Sequence, residues 1–422
     1  MQRALIIGGS LAGLFAAHLL RAIGWEVEVF ERNGGDLAGR GAGIGTHDAL
    51  IAIAQRIGLS FDSANGVATK SYACVDQDGR VLHEVPLQRV MSAWGVIYRP
   101  LKDRLPVEFH HRGCTLARVS ADRDGVEAIF TDGSRAWGEL LIAADGFRST
   151  VREQFLPDLQ PTYAGYVAWR AMVGEHDIPS APAAELFDRL TFCVPSGEIV
   201  VSYPVPANDC GRSDGQRAYN IVWYRPADMD TLADLSIDIH GRRHDGALPP
   251  GLIRPQIVTK IKADARARLP RIIADIFVRA DLPFFHPIYD LASPQLAFGR
   301  VALVGDAAFV ARPHVGAGVT KAALDAACLA DALVAADGDL DQALAQYNRE
   351  RRRFGDWLVA RGRAMGAWIG QPASEQGISQ EQQIAVMRQY TSMALDIKGE
   401  FLGRTGGREA NTSAAQSERA SG

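Results

Sequence analysis

Gly8, Gly9, Ser10 and Gly13 are small residues between two apolar runs, and Glu31 closes the second run. That spacing suits one chemistry. A turn without bulky side chains brings backbone N–H groups and a helix N-terminus up to a pyrophosphate. An acid about 20 residues further on accepts hydrogen bonds from ribose hydroxyls. Ser10 stands where this fingerprint usually has its second glycine. It is small enough to keep the approach close, and its hydroxyl can donate to a phosphate oxygen. A glycine turn alone is a weak signal; the strand before it, the helix opening at Leu11 and the acid beyond make it a dinucleotide site.

Two other apolar runs end in an acid: Leu140–Ala144 before Asp145-Gly146, and Val301–Val304 before Gly305-Asp306. By itself Asp-Gly after a strand is a common turn. After the second acid, Pro313-His314-Val315-Gly316-Ala317-Gly318 feeds a helix, an arrangement that stabilises negative charge. Arg40, in the glycine-rich stretch from Gly34 to Gly45, can neutralise a pyrophosphate or simply sit in a surface connection. His47 opens a helix, where an isolated histidine serves structure as readily as a site.

These residues need elements to hold them. Ala4–Ile7 reads as a strand buried on both faces, Leu11–Ile23 as a helix ended by Gly24, and Glu26–Phe30 as a second strand. Together they form a βαβ unit. Thr69–Val85 is predicted to be a hairpin turning at Asp78-Gly79. Cys114–Val119, Val126–Phe130 and Arg135–Trp137 follow as short strands with Asp-Gly turns. All of these are assigned to a small antiparallel layer on the first domain. From Thr162 to His286 the chain changes to strands rich in aromatic and β-branched residues. They predict a second sheet whose concave face presents Tyr, Trp and His, unless those rings only fill a core. Tyr203-Pro204-Val205-Pro206 is expected to end its strand. Residues 208–216 read as a polar loop, and helices are predicted over Ile257–Arg268, Arg271–Val278, Val319–Ala335, Leu340–Met365 and Glu381–Leu395.

The expected architecture is α/β, with a Rossmann-like βαβ domain, an inserted β-sheet domain for the substrate and C-terminal helices. The boundaries are 1–160 for the first part of the nucleotide domain, 161–290 for the inserted sheet, 291–370 for the return, 371–402 for a helical segment and 403–422 for a disordered tail. The 422 residues can bury a large core, and a net charge of -4 implies no basic surface for nucleic acid. No apolar stretch is long enough for a membrane span. The apolar N-terminal run looks a little like a secretory signal, but glycines break it and no small-residue cleavage site follows. The five cysteines are scattered without metal-ligand spacing, so no metal is expected, and reduced thiols in the cytoplasm are the simplest account.

Three segments stand in order: Gly8–Gly13 with Glu31-Arg32, Asp145-Gly146 with Arg152, and Gly305-Asp306 with Pro313. This set resembles the single-component FAD-dependent aromatic hydroxylases, the para-hydroxybenzoate hydroxylase-like family. Pro161–Arg170, Tyr203–Pro206 and Arg312–His314 are similar to the branch acting on hydroxypyridines, such as 2,6-dihydroxypyridine or 6-hydroxy-3-succinoylpyridine, in pyridine and nicotine breakdown. The resemblance implies bound FAD, transient NADH or NADPH, O₂ and a small aromatic substrate, and it admits a homodimer. It implies oxygen transfer from a C4a-hydroperoxyflavin. Ser10 and Gly13 would lie by the pyrophosphate, Glu31 at the adenosine ribose, and Arg40 and Arg99 at the cofactor. The segment around Arg99 departs from the family's usual pattern. Asp145 and Gly146 would serve FAD and NAD(P)H, and Asp306 the ribityl chain. Pro313 would border the reacting edge, with Gly316, Ala317 and Gly318 at the isoalloxazine. Tyr203, His314 and His47 are the candidates for helping a substrate hydroxyl lose its proton. The alternatives are a hydroxybenzoate-type phenol as substrate, or an FAD-dependent dehydrogenase or reductase that inserts no oxygen.

Overall fold

The computed structural model of the chain describes residues 2–37, 43–61, 66–179, 186–207, 217–246, 248–249, 251–371 and 378–402. Arg40, the polar loop 208–216 and the tail 403–422 lie outside the described residues.

The chain begins with β1 (Arg3–Ile7), α1 (Leu11–Ala22), β2 (Glu26–Glu31), β3 (Gly43–Gly45) and α2 (Asp48–Arg56). Next come β4 (Val67–Val75), β5 (Val81–Ala93), α3 (Trp94–Arg104), β6 (His110–Arg112), β7 (Leu116–Ala121), β8 (Val126–Phe130) and β9 (Arg135–Gly138). They are followed by β10 (Leu140–Ala143), α4 (Thr150–Phe155), β11 (Thr162–Gly174), β12 (Arg189–Cys193), β13 (Ile199–Pro206) and β14 (Arg217–Pro226). Helices α5 (Met229–Leu235), α6 (Pro255–Arg268) and α7 (Arg271–Arg279) precede β15 (Phe284–Ala292), β16 (Ala297–Phe298), β17 (Val301–Leu303) and β18 (Phe309–Val310). Three helices end the described chain: α8 (Gly318–Ala335), α9 (Leu340–Gly366) and α10 (Gln380–Leu402).

One sheet has the order β16-β17-β10-β1-β2-β6. Its central strands run parallel, and β1, β10 and β17 lie side by side. They therefore end at one edge, with Gly8, Asp145 and Asp306 just beyond. Near-continuous apolar strands suit this position, because helices cover both faces of such a sheet.

The second sheet has nine strands in the order β18-β15-β11-β14-β13-β12-β4-β5-β3. Strand β4 joins it by parallel pairing with β12. So β3, β4 and β5 belong to this sheet, and only β7, β8 and β9 form the small antiparallel layer. That corrects the assignment of the 69–85 hairpin. Asp-Gly turns identify hairpins but not the sheet that receives them.

Strand β13 also runs on through Pro204 and Pro206 instead of ending there. Its pairing with β12 stops at Ser202, while β14 follows it to Pro206. Past Ser202 the strand is paired with β14 and no longer with β12, so a proline there has fewer ladder bonds to lose.

Alternation divides the large sheet's faces between two cores. Tyr166, Ala168, Val201, Tyr203, Val222 and Tyr224 pack toward the nucleotide domain. Val167, Trp169, Val200, Ile221 and Trp223 pack against α6 and α7. The tryptophans expected on the concave face thus belong to the opposite one. A single step along a strand separates a site residue from a core residue on the other side.

The return segment is held from below by ions. Asp325 on α8 accepts the Gly305 N–H at 2.9 Å and the Arg351 Nε–H at 2.7 Å, with both side chains almost fully buried. Removing one partner of a buried pair costs about 3–5 kcal/mol. Arg351→Met is expected to lower stability by that order in urea unfolding. Pairing it with Asp325→Asn should recover part of the loss; full additivity of the two changes would show that the pair does not interact.

Candidate active site

A first cavity of about 320 Å³ opens at the strand ends and is lined by Gly8, Ser10, Glu31, Arg32, Asp145 and Gly146, among others. Gly8 adopts φ +108°, and a Cβ there would lie 2.2 Å from the Ala144 carbonyl oxygen. A Cβ at Gly13 would lie 1.9 Å from the Gly8 carbonyl oxygen, so this glycine seats α1 on the turn. Helix α1 begins at Leu11 with no side-chain hydrogen bond capping its first N–H groups. Those donors suit an anion. Glu31 accepts the Gly9 N–H at 2.8 Å and the Asn33 N–H at 2.9 Å. Its carboxylate is thereby fixed at the cavity wall with lone pairs to spare.

Asp145 accepts the Val151 N–H through Oδ2 at 3.3 Å, whereas its buried Oδ1 has no hydrogen-bond partner among the described residues. Burial pushes its carboxyl above the usual range. Buried Arg152 donates to the carbonyls of Phe147, Asp306 and Ala307, tying the second strand end to the third.

A second cavity of about 290 Å³ has walls from three sources. Asp306, Pro313, Gly316, Ala317 and Gly318 form one, the nine-stranded sheet supplies another, and Tyr390 of α10 the third. A Cβ at Gly316 or Gly318 would meet no protein atom within 4 Å, so this backbone faces open space. Helix α8 starts here without a capping side chain. Lys321, buried in its first turns, donates to Asp306 Oδ1 at 2.7 Å and to the Phe309 carbonyl.

Tyr203 lines this cavity and donates its hydroxyl proton to the Gly43 carbonyl at 3.0 Å. Burial raises its pKa, so the phenol stays protonated at neutral pH. His314 also lines the cavity, but both ring nitrogens are engaged: Nε2 is 2.7 Å from Tyr166 Oη and Nδ1 is 2.6 Å from Tyr390 Oη. Burial, aided by Arg312, pushes its pKa down to about 3. His47 lies outside the lining. Its Nδ1 meets Thr320 Oγ1 at 2.8 Å and its Nε2 accepts from Arg89 at 2.6 Å, while burial keeps it neutral.

The fold thus gathers six of the sequence-predicted residues at the first cavity and seven at the second: Tyr203, Asp306, Pro313, His314, Gly316, Ala317 and Gly318. Gly9, Leu11 and Gly13 support the first from behind. Arg99 sits in α3 and lines neither cavity. Sequence reasoning missed Tyr72, Arg89, Arg170, Tyr224, Lys321 and Tyr390, all of which line the second cavity. For Arg170 a signal existed: it falls on the apolar side of an alternating strand. For Tyr390 none did, because its contacts lie across the chain.

A parallel sheet with a glycine turn, a ribose-side acid and two uncapped helix starts at the cavities defines a dinucleotide-binding oxidoreductase. FAD fits these residues: Asp145 Oδ1 lacks a partner, and Gly316 and Gly318 leave backbone open to a ligand. Two family profiles match, described as FAD binding domain-like over residues 163–290 and FAD binding domain over residues 260–362. The 2,6-dihydroxypyridine 3-monooxygenase of Paenarthrobacter nicotinovorans is 31% identical over 332 residues, covering 78% of this chain and 82% of that protein. An FAD-dependent urate hydroxylase of Klebsiella pneumoniae is also 31% identical, over 83% of this chain and 86% of its own length. The solved structure of 2,6-dihydroxypyridine-3-hydroxylase from Arthrobacter nicotinovorans matches with a TM-score of 0.82 and 28% identity, covering 88% of this chain and 95% of that one. The chain belongs to the FAD-dependent aromatic monooxygenase family.

The buried neutral His314 makes a pH prediction. Its folded pKa lies below the unfolded value, so below about pH 6.5 the unfolded chain binds the extra proton and stability falls as pH drops toward 3. Urea midpoints between pH 7.5 and 4.5 are expected to decline in wild type and to decline less steeply in His314→Gln. Parallel slopes in the two proteins would show that His314 titrates freely.

Proposed function

We propose that this protein hydroxylates a small hydroxylated ring of the pyridine type, consuming NADH or NADPH and O₂. The observation that carries the reading is the second cavity. It measures about 290 Å³, is walled by Tyr72, Tyr203 and Tyr224, and lies against the Gly316–Gly318 turn. The dihydroxypyridine named for the relative from Paenarthrobacter nicotinovorans supports the pyridine class. A second reading is an aminated or plain hydroxybenzoate. It draws on the 3-amino-4-hydroxybenzoate 2-monooxygenase of Streptomyces cremeus, 27% identical over 96% of both chains.

Bound FAD supplies the acceptance of hydride from nicotinamide and the activation of O₂. The chain does the rest. The uncapped N-terminus of α8 stabilises negative charge near Gly316–Gly318. The apolar cavity residues Val201, Val222 and Phe192 exclude water. Tyr203, its own proton given to Gly43, offers an oxygen lone pair to the substrate hydroxyl. It positions that hydroxyl and does not take its proton. His314 and His47 hold the walls in register through their paired nitrogens. A hydroxypyridine is acidic enough to ionise without a dedicated base. A cytosolic setting fits the unpaired Cys74, Cys114, Cys193 and Cys328.

Hydroxypyridines and hydroxybenzoates are to be scored for substrate-stimulated NAD(P)H oxidation under ¹⁸O₂. One labelled oxygen in the product is the expected result; product without label would make the protein a dehydrogenase. Tyr203→Phe should raise KM several-fold and slow single-turnover hydroxylation by no more than about 100-fold, since a positioned general base is worth about 10²–10⁴-fold. A larger loss would mean that Tyr203 moves the proton itself.

A further inference from the structure

Arg170 is out of place on its strand. Along β11, Tyr166 and Ala168 pack into the core beside the cavity, and Trp169 and Ala171 pack on the other face. Arg170 shares the first face and lines the cavity. Across the sheet its row continues through Val222, Val201 and Phe192, all apolar. A guanidinium therefore sits in a hydrophobic row. Its Nε and Nη1 are buried and make no hydrogen bond among the described residues.

The other cations at this cavity are occupied. Arg89 donates to the Thr46 carbonyl at 2.8 Å, to Tyr72 Oη at 2.8 Å, and to the Gly45 carbonyl and His47. Lys321 is paired with Asp306. Asp306 is the one carboxylate among the described lining residues, which therefore carry an excess of two positive charges. Burying a cation with idle donors is unfavourable unless something pairs with it. Arg170 comes from the sheet wall, not from the Gly316–Gly318 turn.

We propose that Arg170 is the anion subsite of this cavity, and that the substrate enters as an anion whose carboxylate or ionised ring oxygen is held by the guanidinium. The planar fork of arginine suits such a group better than a lysine would. This inference rests on the ring-hydroxylase reading above and narrows its substrate to acidic rings.

The test is binding to the FAD-loaded protein, read from the flavin absorbance change, with no turnover required. Two matched pairs serve as probes: 4-hydroxybenzoate with 4-hydroxybenzamide, and 2,6-dihydroxypyridine with 2,6-dimethoxypyridine. At least one acidic probe is expected to bind about 30-fold or more tightly than its neutral partner, as for a buried charge pair. The pair showing the difference tells a carboxylate from a ring oxygen. Arg170→Gln should remove that preference and leave the neutral probes within a few-fold of wild type, and Arg170→Lys should restore part of it. The wild-type comparison stands even if a variant fails to fold. If neither acid is preferred, or if Arg170→Gln weakens acid and neutral probes alike, the subsite is wrong while ring binding survives. If FAD-loaded wild type binds no ring at all, the hydroxylase reading falls with it.

Discussion

No side chain fits at Gly8. A Cβ there would press within 2.2 Å of the Ala144 carbonyl, and the backbone sits at φ +108°, a region that favours glycine. The turn after β1 is thereby forced against the end of β10. The neighbouring end is tied in the same way: Gly305 has φ +63°, and a Cβ on it would lie 2.8 Å from the Ala12 Cβ in the first turn of α1. Three strand ends far apart in sequence share one small volume because two glycines permit it. Everything polar at the nucleotide end is arranged around that contact.

The contact is backed by charge on the far side. Arg152 reaches from Phe147 to the carbonyls of Asp306 and Ala307, and Asp325 with Arg351 anchors the Gly305 N–H from beneath. Such buried charges are expensive to desolvate and add little net stability over apolar packing. Their use here is directional: each fixes a backbone group whose position, not its energy, matters to the cavity. Asp145 shows the same logic from the opposite side. It is buried with one oxygen unpaired, a local disadvantage of the kind proteins keep where a ligand completes the bonding.

The nucleotide half was legible in the residues because its requirements are local. A small-residue turn, a helix start and an acid at the end of the next strand lie within one βαβ unit, so Gly8, Ser10 and Glu31 could be placed from spacing alone. Asp306 and Gly316–Gly318 followed from a strand and a helix start. The ring cavity was half legible. Tyr203 and His314 were named, but the reading gave them a proton-transfer task that their fixed hydrogen bonds do not suit. Tyr72 and Arg89 stayed hidden because the 67–93 strands join the large sheet by parallel pairing with β12, and nothing within that segment announces its partner. The two prolines misled for a similar reason. Whether proline breaks a strand depends on which neighbours the strand has at that point, and the pairing with β12 stops at Ser202.

The histidines were named for proton transfer, and the structure engages both ring nitrogens of each. His314 lies between Tyr166 of β11 and Tyr390 of α10, so its ring joins the sheet to the C-terminal helix across the cavity. The end of α9 comes close enough for this only because Gly366 lacks a side chain: a Cβ would sit 2.5 Å from Tyr166 Oη and 3.2 Å from His314 Nε2. A neutral imidazole can donate through one nitrogen and accept through the other, and two hydroxyl partners match either role. A protonated ring would place a charge in this buried spot beside Arg312. Burial therefore does more than lower the pKa. It holds the ring neutral where sheet, return loop and C-terminal helix are hydrogen-bonded together around the cavity, and with both nitrogens of His314 engaged it is Arg170 whose buried donors stay idle among the described residues.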